Sequence, residues 1–268
     1  MKPTQQTAQQ KIIQYYNTLE SRLGYVFWLK ETKHFGFYPK GQEHISMQEA
    51  QRLMEDKLAD TLDLKSHARV LDAGCGMGNV AIYLAQKYQL QIEGIDLLDW
   101  NIKKAQKKVV SLGLEKKIQF QVMDYTKLHF PANSFDGIYT METLVHAFDY
   151  KKTLKEFYRV LKPGGRLILL EYSLARKNSS NASVAKIWDM INEESGMHAL
   201  PYFIHGTFPK ILQNSGFQKI SVEDITQYTI PMWKKFYRAA FLPYQIMKIF
   251  QLINHLYPQQ QLNINMII

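Results

Sequence analysis

The chain has 268 residues, 46% hydrophobic and 21% charged, enough apolar content for one large α/β domain with an ample core and an added cap. Its formal charge of +9 and pI near 9.3 admit anionic surfaces or ligands. The basic residues are scattered, however, as in Lys103-Lys104, Lys107-Lys108, Lys116-Lys117 and Lys234-Lys235, and read as solvated helix faces, so no nucleic-acid partner is expected. Cys75 is the single cysteine; it excludes an internal disulfide and any cysteine-based metal site, and a reducing compartment fits.

In chain order, Met1 to Gln10 is polar and Gln-rich, without the apolar run of a signal sequence. No stretch approaches the roughly 18 consecutive apolar residues of a membrane span, so the expectation is a cytoplasmic protein, soluble or peripheral on a membrane surface. Ile12, Tyr15, Tyr16, Leu19 and Leu23 recur at helical spacing, and an aromatic loop follows, His34-Phe35-Gly36-Phe37-Tyr38-Pro39. Ser46 to Leu62 reads as an amphipathic helix with Ser46 and Glu49 in a capping box.

From Arg69 short apolar runs alternate with helices. The runs are Val70-Leu71, Gln91 to Ile95, Ile118 to Val122, Phe135 to Tyr139 and Arg166 to Leu170; the helices are Val80 to Tyr88, Asn101 to Leu112 and Tyr150 to Leu161. Such alternation predicts right-handed crossovers, a mostly parallel sheet, and ligands at the strands' C-terminal ends. The stretch from Ser173 to His205 interrupts it, with a helix carrying Ile187, Trp188 and Met190, and would sit over that edge. Phe217 to Glu223 and Ile225 to Ile230 read as a closing hairpin. The fold class expected is α/β, a Rossmann-like seven-stranded mostly parallel sheet with an antiparallel last strand.

The glycines Gly74, Gly76 and Gly78 follow a strand and precede a helix, where the backbone must turn sharply and approach a ligand. Their spacing is G-x-G-x-G rather than the G-x-G-x-x-G of a pyrophosphate cradle, which disfavours a nicotinamide-dependent oxidoreductase. Cys75, between two of them, reads as a packing residue rather than a thiol nucleophile. Asp96 ends the next strand about twenty residues on, where a carboxylate can accept from both ribose hydroxyls. The third strand ends in Asp124-Tyr125, an acid able to hold an adenine amino group and a ring able to stack. Two acids at successive strand ends, in register with the glycine loop, make a ligand site.

These motifs resemble those of class I S-adenosylmethionine-dependent methyltransferases. The resemblance rests on Val70-Leu71-Asp72-Ala73-Gly74-Cys75-Gly76-Met77-Gly78, Gly94-Ile95-Asp96, Met123-Asp124, Phe130-Pro131-Ala132-Asn133-Ser134-Phe135-Asp136 and Arg159-Val160-Leu161-Lys162-Pro163-Gly164-Gly165-Arg166-Leu167, in the family's order. It implies S-adenosyl-L-methionine as cofactor, with Asp72 and the glycines at its methionine end, Asp96 and the adjoining Leu97 at the ribose, and Asp124 with Tyr125 at the adenine. Asn101 matches a polar position beside the nucleoside, and the Thr140-Met141 carbonyl region lines the methionine moiety. No metal is implied.

Tyr139 to Ala147 resembles the acidic segment of sterol and isoprenoid C-methyltransferases, and Glu156 to Tyr172 that of quinone C-methyltransferases. Tyr15-Tyr16-Asn17 and His34 to Tyr38 resemble segments that fold over the cofactor there, which places Tyr16 and His34 at the cofactor. The aromatic signature and C-terminal domain of sterol enzymes are not reproduced, which speaks against a sterol acceptor. The organisation expected is a helical N-terminal lid over 1–66, the cofactor-binding core over 67–172, an inserted substrate cap over 173–207, the end of the core sheet over 208–230 and an amphipathic helical extension over 231–268.

Glu142 and His146 stand four apart, a helical turn, beyond the fourth strand. Methylating an alkene carbon creates a carbocation that a buried carboxylate stabilises and a base quenches; methylating oxygen or nitrogen needs only a base, for which His146 suffices. The plainer alternative makes Glu142 a helix cap and His146 a satisfied core histidine. After Pro231, Trp233, Phe236, Tyr237, Ala240, Phe241 and Tyr244 recur at helical spacing, which suits a core face, a homodimer seam, a peripheral membrane contact or a lid over a lipophilic substrate. The reading is methyl transfer to a carbon of a lipophilic, isoprenoid-like small molecule, with O-, N- or ring C-methylation of a quinone or other natural product as the alternative. The Asn/Asp-Pro-Pro-aromatic motif that holds a flipped base is replaced here by Met141-Glu142-Thr143-Leu144.

Overall fold

The computed structural model describes residues 5–17, 31–174, 186, 190, 192–193, 195–239 and 241. Two compact units divide the chain, one made of Met1–His34 with Met54–Glu223 and the other of Phe35–Leu53 with Asp224–Ile268.

In the first unit, helix α1 is Gln5–Asn17, and helix α2, Met47–Leu62, enters it from Met54 onward. There follow β1 (Arg69–Ala73), α3 (Asn79–Lys87), β2 (Gln91–Asp96), α4 (Asp99–Leu112), β3 (Ile118–Val122), β4 (Phe135–Met141), a 3-10 turn at Leu144–His146, α5 (Tyr150–Val160), β5 (Leu161–Leu170), a second 3-10 turn at Leu200–Tyr202 and α6 (Phe208–Asn214). The strands form one sheet in the order β3-β2-β1-β4-β5, and every neighbouring pair is parallel. The chain order reverses direction beside β1, where a doubly wound sheet opens a crevice at its C-terminal edge.

Alternation along the strands produces the two cores. Leu71, Ala73, Ile95 and Ile138 face one side with Leu154, Phe157 and Phe203. Val70, Ile92, Phe120 and Tyr139 face the other, with Leu58, Leu62, Ala81, Leu84 and Val109. A parallel sheet covered on both faces needs strands buried along their length, as β1 is from Val70 to Ala73.

The predicted strands and helices of the core match these elements to within a few residues. The closing hairpin does not. Among the described residues the sheet has five strands, none antiparallel, 217–223 contains no strand, and 226–239 is helical. This helix, α7, belongs to the second unit. Asp224 Oδ1 accepts the Thr226 N–H at 2.9 Å and turns the chain into it. Its inner face then recurs at helical spacing: Tyr228 packs on Phe37 with ring centroids 4.5 Å apart, Met232 accepts a hydrogen bond from the Gly36 N–H at Sδ, and Lys235 lies 4.7 Å over the Tyr38 ring. In the same unit the Ser46 hydroxyl accepts the Glu49 N–H at 3.1 Å, half of the predicted capping box. Leu19, Leu23, Ile187, Trp188, Ala240 and Tyr244 lie outside the described residues.

Candidate active site

The C-terminal ends of β1, β2, β3 and β4 and the following loops open into one cavity of about 930 Å³, its open mouth included. Ile12 and Tyr16 of α1 and the segment Glu31–His34 complete the wall. Of the residues singled out from sequence, Tyr16, His34, Asp72, Gly74, Gly76, Asp96, Leu97, Asn101, Tyr125, Met141, Glu142 and His146 all line it. Gly78 and Asp124 do not. A Cβ at Gly78 would come within 2.5 Å of the Phe120 ring, so packing of α3 on β3 requires glycine there. Asp124 is occupied beside the cavity, accepting from Gln9 Nε2 at 2.5 Å and from the Thr126 N–H at 2.7 Å.

The glycine loop is fastened to β2. The N–H groups of Gly74 and Cys75 both donate to the Ile95 carbonyl, at 2.8 and 2.9 Å. Asp96 Oδ2 accepts the Gly76 N–H at 2.9 Å, and its Oδ1 accepts from the Leu98 N–H at 2.8 Å and Asn101 Nδ2 at 3.2 Å. Burial raises the Asp96 pKa, and those three donors work the other way. Gly74, at φ +98, leaves no room for a side chain, since a Cβ would stand 2.7 Å from that of Thr143.

Asp72 is 3% exposed, and its Oδ2 meets no hydrogen-bond donor. Burial pushes its carboxyl up to about 7, with Asp96 adding repulsion and Tyr139 and His34 opposing. Beneath the same wall His34 Nε2 pairs with Glu55 Oε1 at 3.3 Å, both side chains almost fully buried. A buried, unsatisfied carboxylate oxygen beside a glycine loop is a costly arrangement unless a cationic group completes it. It fits the amino group of a methionine-derived cofactor, and the unpaired Asn101 Oδ1 nearby offers the nucleoside an acceptor.

Farther along the cavity wall, Glu142 leaves β4 with φ +56, a left-handed conformation that costs a non-glycine residue on the order of 1–3 kcal/mol. The expected helical turn between Glu142 and His146 is replaced by this bend and the 3-10 turn Leu144–His146. The bend is held by the Glu142 N–H donating to Leu170 O at 2.7 Å and by the Tyr172 hydroxyl bonding the Glu142 carboxylate. His146 is 7% exposed; burial lowers its pKa to about 4, so it is neutral at pH 7. Its Nδ1 lies 3.3 Å from Gly196 O and its Nε2 2.9 Å from the Tyr16 hydroxyl. A carbonyl only accepts, so Nδ1 carries the proton and Nε2 accepts from Tyr16.

Sequence reasoning missed several residues. Lys33 lines the cavity, its ammonium 4.5 Å over the Tyr16 ring and 5.5 Å over that of Trp100. Thr143 meets both the glycine loop and Tyr125, whose hydroxyl donates to Thr143 O at 3.0 Å. Glu171, just past β5, accepts from the Thr140 hydroxyl at 2.7 Å and from the N–H groups of Thr143, Leu144 and Val145 at 3.2, 2.9 and 3.3 Å. Burial pushes its carboxyl up to about 7, those donors opposing and Glu142 adding repulsion. It stands at a strand end, the signal that picked out Asp96 and Asp124.

Residues 47–222 match a family model described as a methyltransferase domain. The chain is 34% identical to the S-adenosyl-L-methionine-dependent Diels-Alderase iccD of Talaromyces variabilis, over 94% of this chain and 88% of that one. It is 29% identical to 27-O-demethylrifamycin SV methyltransferase of Amycolatopsis mediterranei, over 76% of this chain and 73% of that one. The geranyl diphosphate C-methyltransferase of Streptomyces coelicolor A3(2) shares the fold, with TM-score 0.71 and 20% identity over 87% and 88% of the two chains. The chain belongs to the methyltransferase-domain family. It is an S-adenosylmethionine-dependent methyltransferase, and S-adenosylmethionine is its cofactor.

Proposed function

We propose that the enzyme transfers a methyl group to a carbon of a lipophilic, isoprenoid-like small molecule. The observation that carries this reading is the pairing of a carboxylate and an uncharged histidine, Glu142 and His146, on one wall of the cofactor cavity. The cofactor supplies a methyl group on a sulfonium, already an activated electrophile. Asp72 holds the cofactor's amino group, Asp96 its ribose and Asn101 the nucleoside, with Asp124 reaching the adenine once Gln9 gives way. Positioning then carries much of the rate. Glu142 faces the positive charge that develops on the acceptor carbon. His146, without charge of its own, does not oppose that cation, and its Nε2 lone pair takes the departing proton when Tyr16 yields it. Exposed Trp233, Tyr237 and Phe241 support a lipophilic acceptor delivered at a membrane surface.

The test is transfer from methyl-labelled cofactor to geranyl diphosphate, a sterol and a prenylated quinone, with the new bond assigned by carbon NMR. A label found on oxygen or nitrogen alone would overturn the carbon assignment. A second reading comes from the 34% identity to a Diels-Alderase, in which the cofactor-loaded cavity folds a polyene into a ring. It adds ring closure to the methyl transfer and predicts, beside the labelled product, a cyclised product of unchanged mass.

A further inference from the structure

We propose that Glu171 is the positioning residue of the acceptor side, presetting the loop that carries Glu142 and His146 through its bonds to the backbone of Thr143, Leu144 and Val145. The inference rests on the reading of Glu142 and His146 as the groups that meet the acceptor. Glu171 is absent from the cavity wall, so it acts through the loop and not on a ligand.

The loop needs such a partner. Glu142 sits in a left-handed conformation, which persists only where the surroundings over-determine it. After Glu142 the chain turns away from β4, and the next N–H groups find no strand to bond. Three consecutive residues at the end of β5 supply what is missing. Leu170 takes the Glu142 N–H, Glu171 takes the next three N–H groups and the Thr140 hydroxyl, and Tyr172 bonds the Glu142 carboxylate itself. Four donors converge on one carboxylate, an arrangement stronger than neutral bonds would give. The 3-10 turn then adds its own bond, the His146 N–H to Thr143 O at 3.0 Å, so the position of His146 follows from that of Thr143.

The test compares Glu171→Ala with Glu171→Gln in the whole chain. The Gln variant keeps an acceptor oxygen for Thr140, Thr143 and Leu144 and loses the one facing Val145. Backbone amide exchange is the first measurement. In Glu171→Ala the Thr143, Leu144 and Val145 amides are expected to exchange roughly 100-fold faster while those of β4 and β5 stay within about threefold. In Glu171→Gln only Val145 accelerates, which decides the matter if the Ala variant does not fold. Calorimetry with S-adenosylhomocysteine is expected to show affinity lowered by no more than about tenfold in the Ala variant, since Thr143 also packs on Gly74, whereas kcat for methyl transfer to geranyl diphosphate falls about 100-fold in that variant at little-changed KM and recovers in the Gln variant. Unchanged protection at these amides overturns the proposal, as does equal acceleration through β4 and β5, or a loss of S-adenosylhomocysteine affinity that matches the loss of kcat. If the parent does not methylate geranyl diphosphate, the acceptor reading fails and the exchange measurement alone decides the role of Glu171.

Discussion

The Tyr16 hydroxyl caps the bare Nε2 of His146 at 2.9 Å. The helix that closes one side of the cavity thus masks the lone pair of its only buried imidazole on the β4 loop. A donor to Nε2 favours the neutral ring, so its removal raises the pKa of His146. Tyr16→Phe is expected to raise it from about 4 by up to roughly one unit. Nitrogen-15 NMR titration of the histidines reads this directly, and an unmoved titration would show that the hydroxyl has no hold on the ring.

Asp72 links cofactor affinity to pH. Its carboxyl keeps a proton up to about pH 7 in the folded chain and loses it in the usual carboxylate range when unfolded. Stability without cofactor therefore falls as pH rises from that range to about 7, and then levels off. Asp72→Asn removes this cost and is expected to stabilise the cofactor-free chain at pH 8, with a ceiling of about 4 kcal/mol. The same variant is expected to weaken S-adenosylhomocysteine binding, because the proposed partner of the amino group is an ionised Asp72. Affinity of the parent should rise through pH 7 and that of the variant stay flat. Calorimetry at pH 6 and pH 8 checks both; a flat parent profile would remove Asp72 from the amino-group site.

For His146 the sign is opposite. The buried ring resists protonation down to about pH 4, while the unfolded one takes a proton near pH 6.5, so its contribution to stability is lost as pH falls through that window. His146→Gln is expected to lose less stability than the parent between pH 6.5 and pH 4.5, by up to about 3 kcal/mol. Urea denaturation of both chains at the two pH values measures the difference, and equal losses would mean the ring is solvated.

Gly74→Ala places a methyl group against the Thr143 side chain at a φ of +98. A loss of about 1–3 kcal/mol in stability is expected, with S-adenosylhomocysteine affinity reduced at least tenfold by the displaced loop. Thermal denaturation and calorimetry report the two effects. Parent-like values in both would show that Thr143 yields freely.

The parallel core was legible because its strands are short apolar runs and its helices carry the 3.6-residue spacing. Ile225 to Ile230 misled because β-branched residues read as strand; what fixes them as helix is the tertiary contact of Tyr228 and Met232 with the aromatic loop. At the site, Asp96 and Asp124 were found by register at strand ends, and Asp72 and Glu142 through the motifs shared with methyltransferases. Gly78 was grouped with the loop by spacing, although its demand for glycine comes from Phe120, more than forty residues distant. Glu171 shares the strand-end position of Asp96 and Asp124, but its partners come only from the turn of the β4 loop back over β5. The bend at Glu142 is likewise invisible in a sequence, where spacing suggested a regular helical turn.

Thr143 touches Gly74 on one side, Tyr125 on another and Glu171 below. Any residue exchange on this loop that reshapes the acceptor pocket therefore also tugs on the donor's loop. Adaptation to a new acceptor is cheaper at residues such as Ile12, which line the cavity from α1. A library aimed at altered selectivity would accordingly randomise that helix, the cover of the cavity, and leave its hinge at 142–146 untouched.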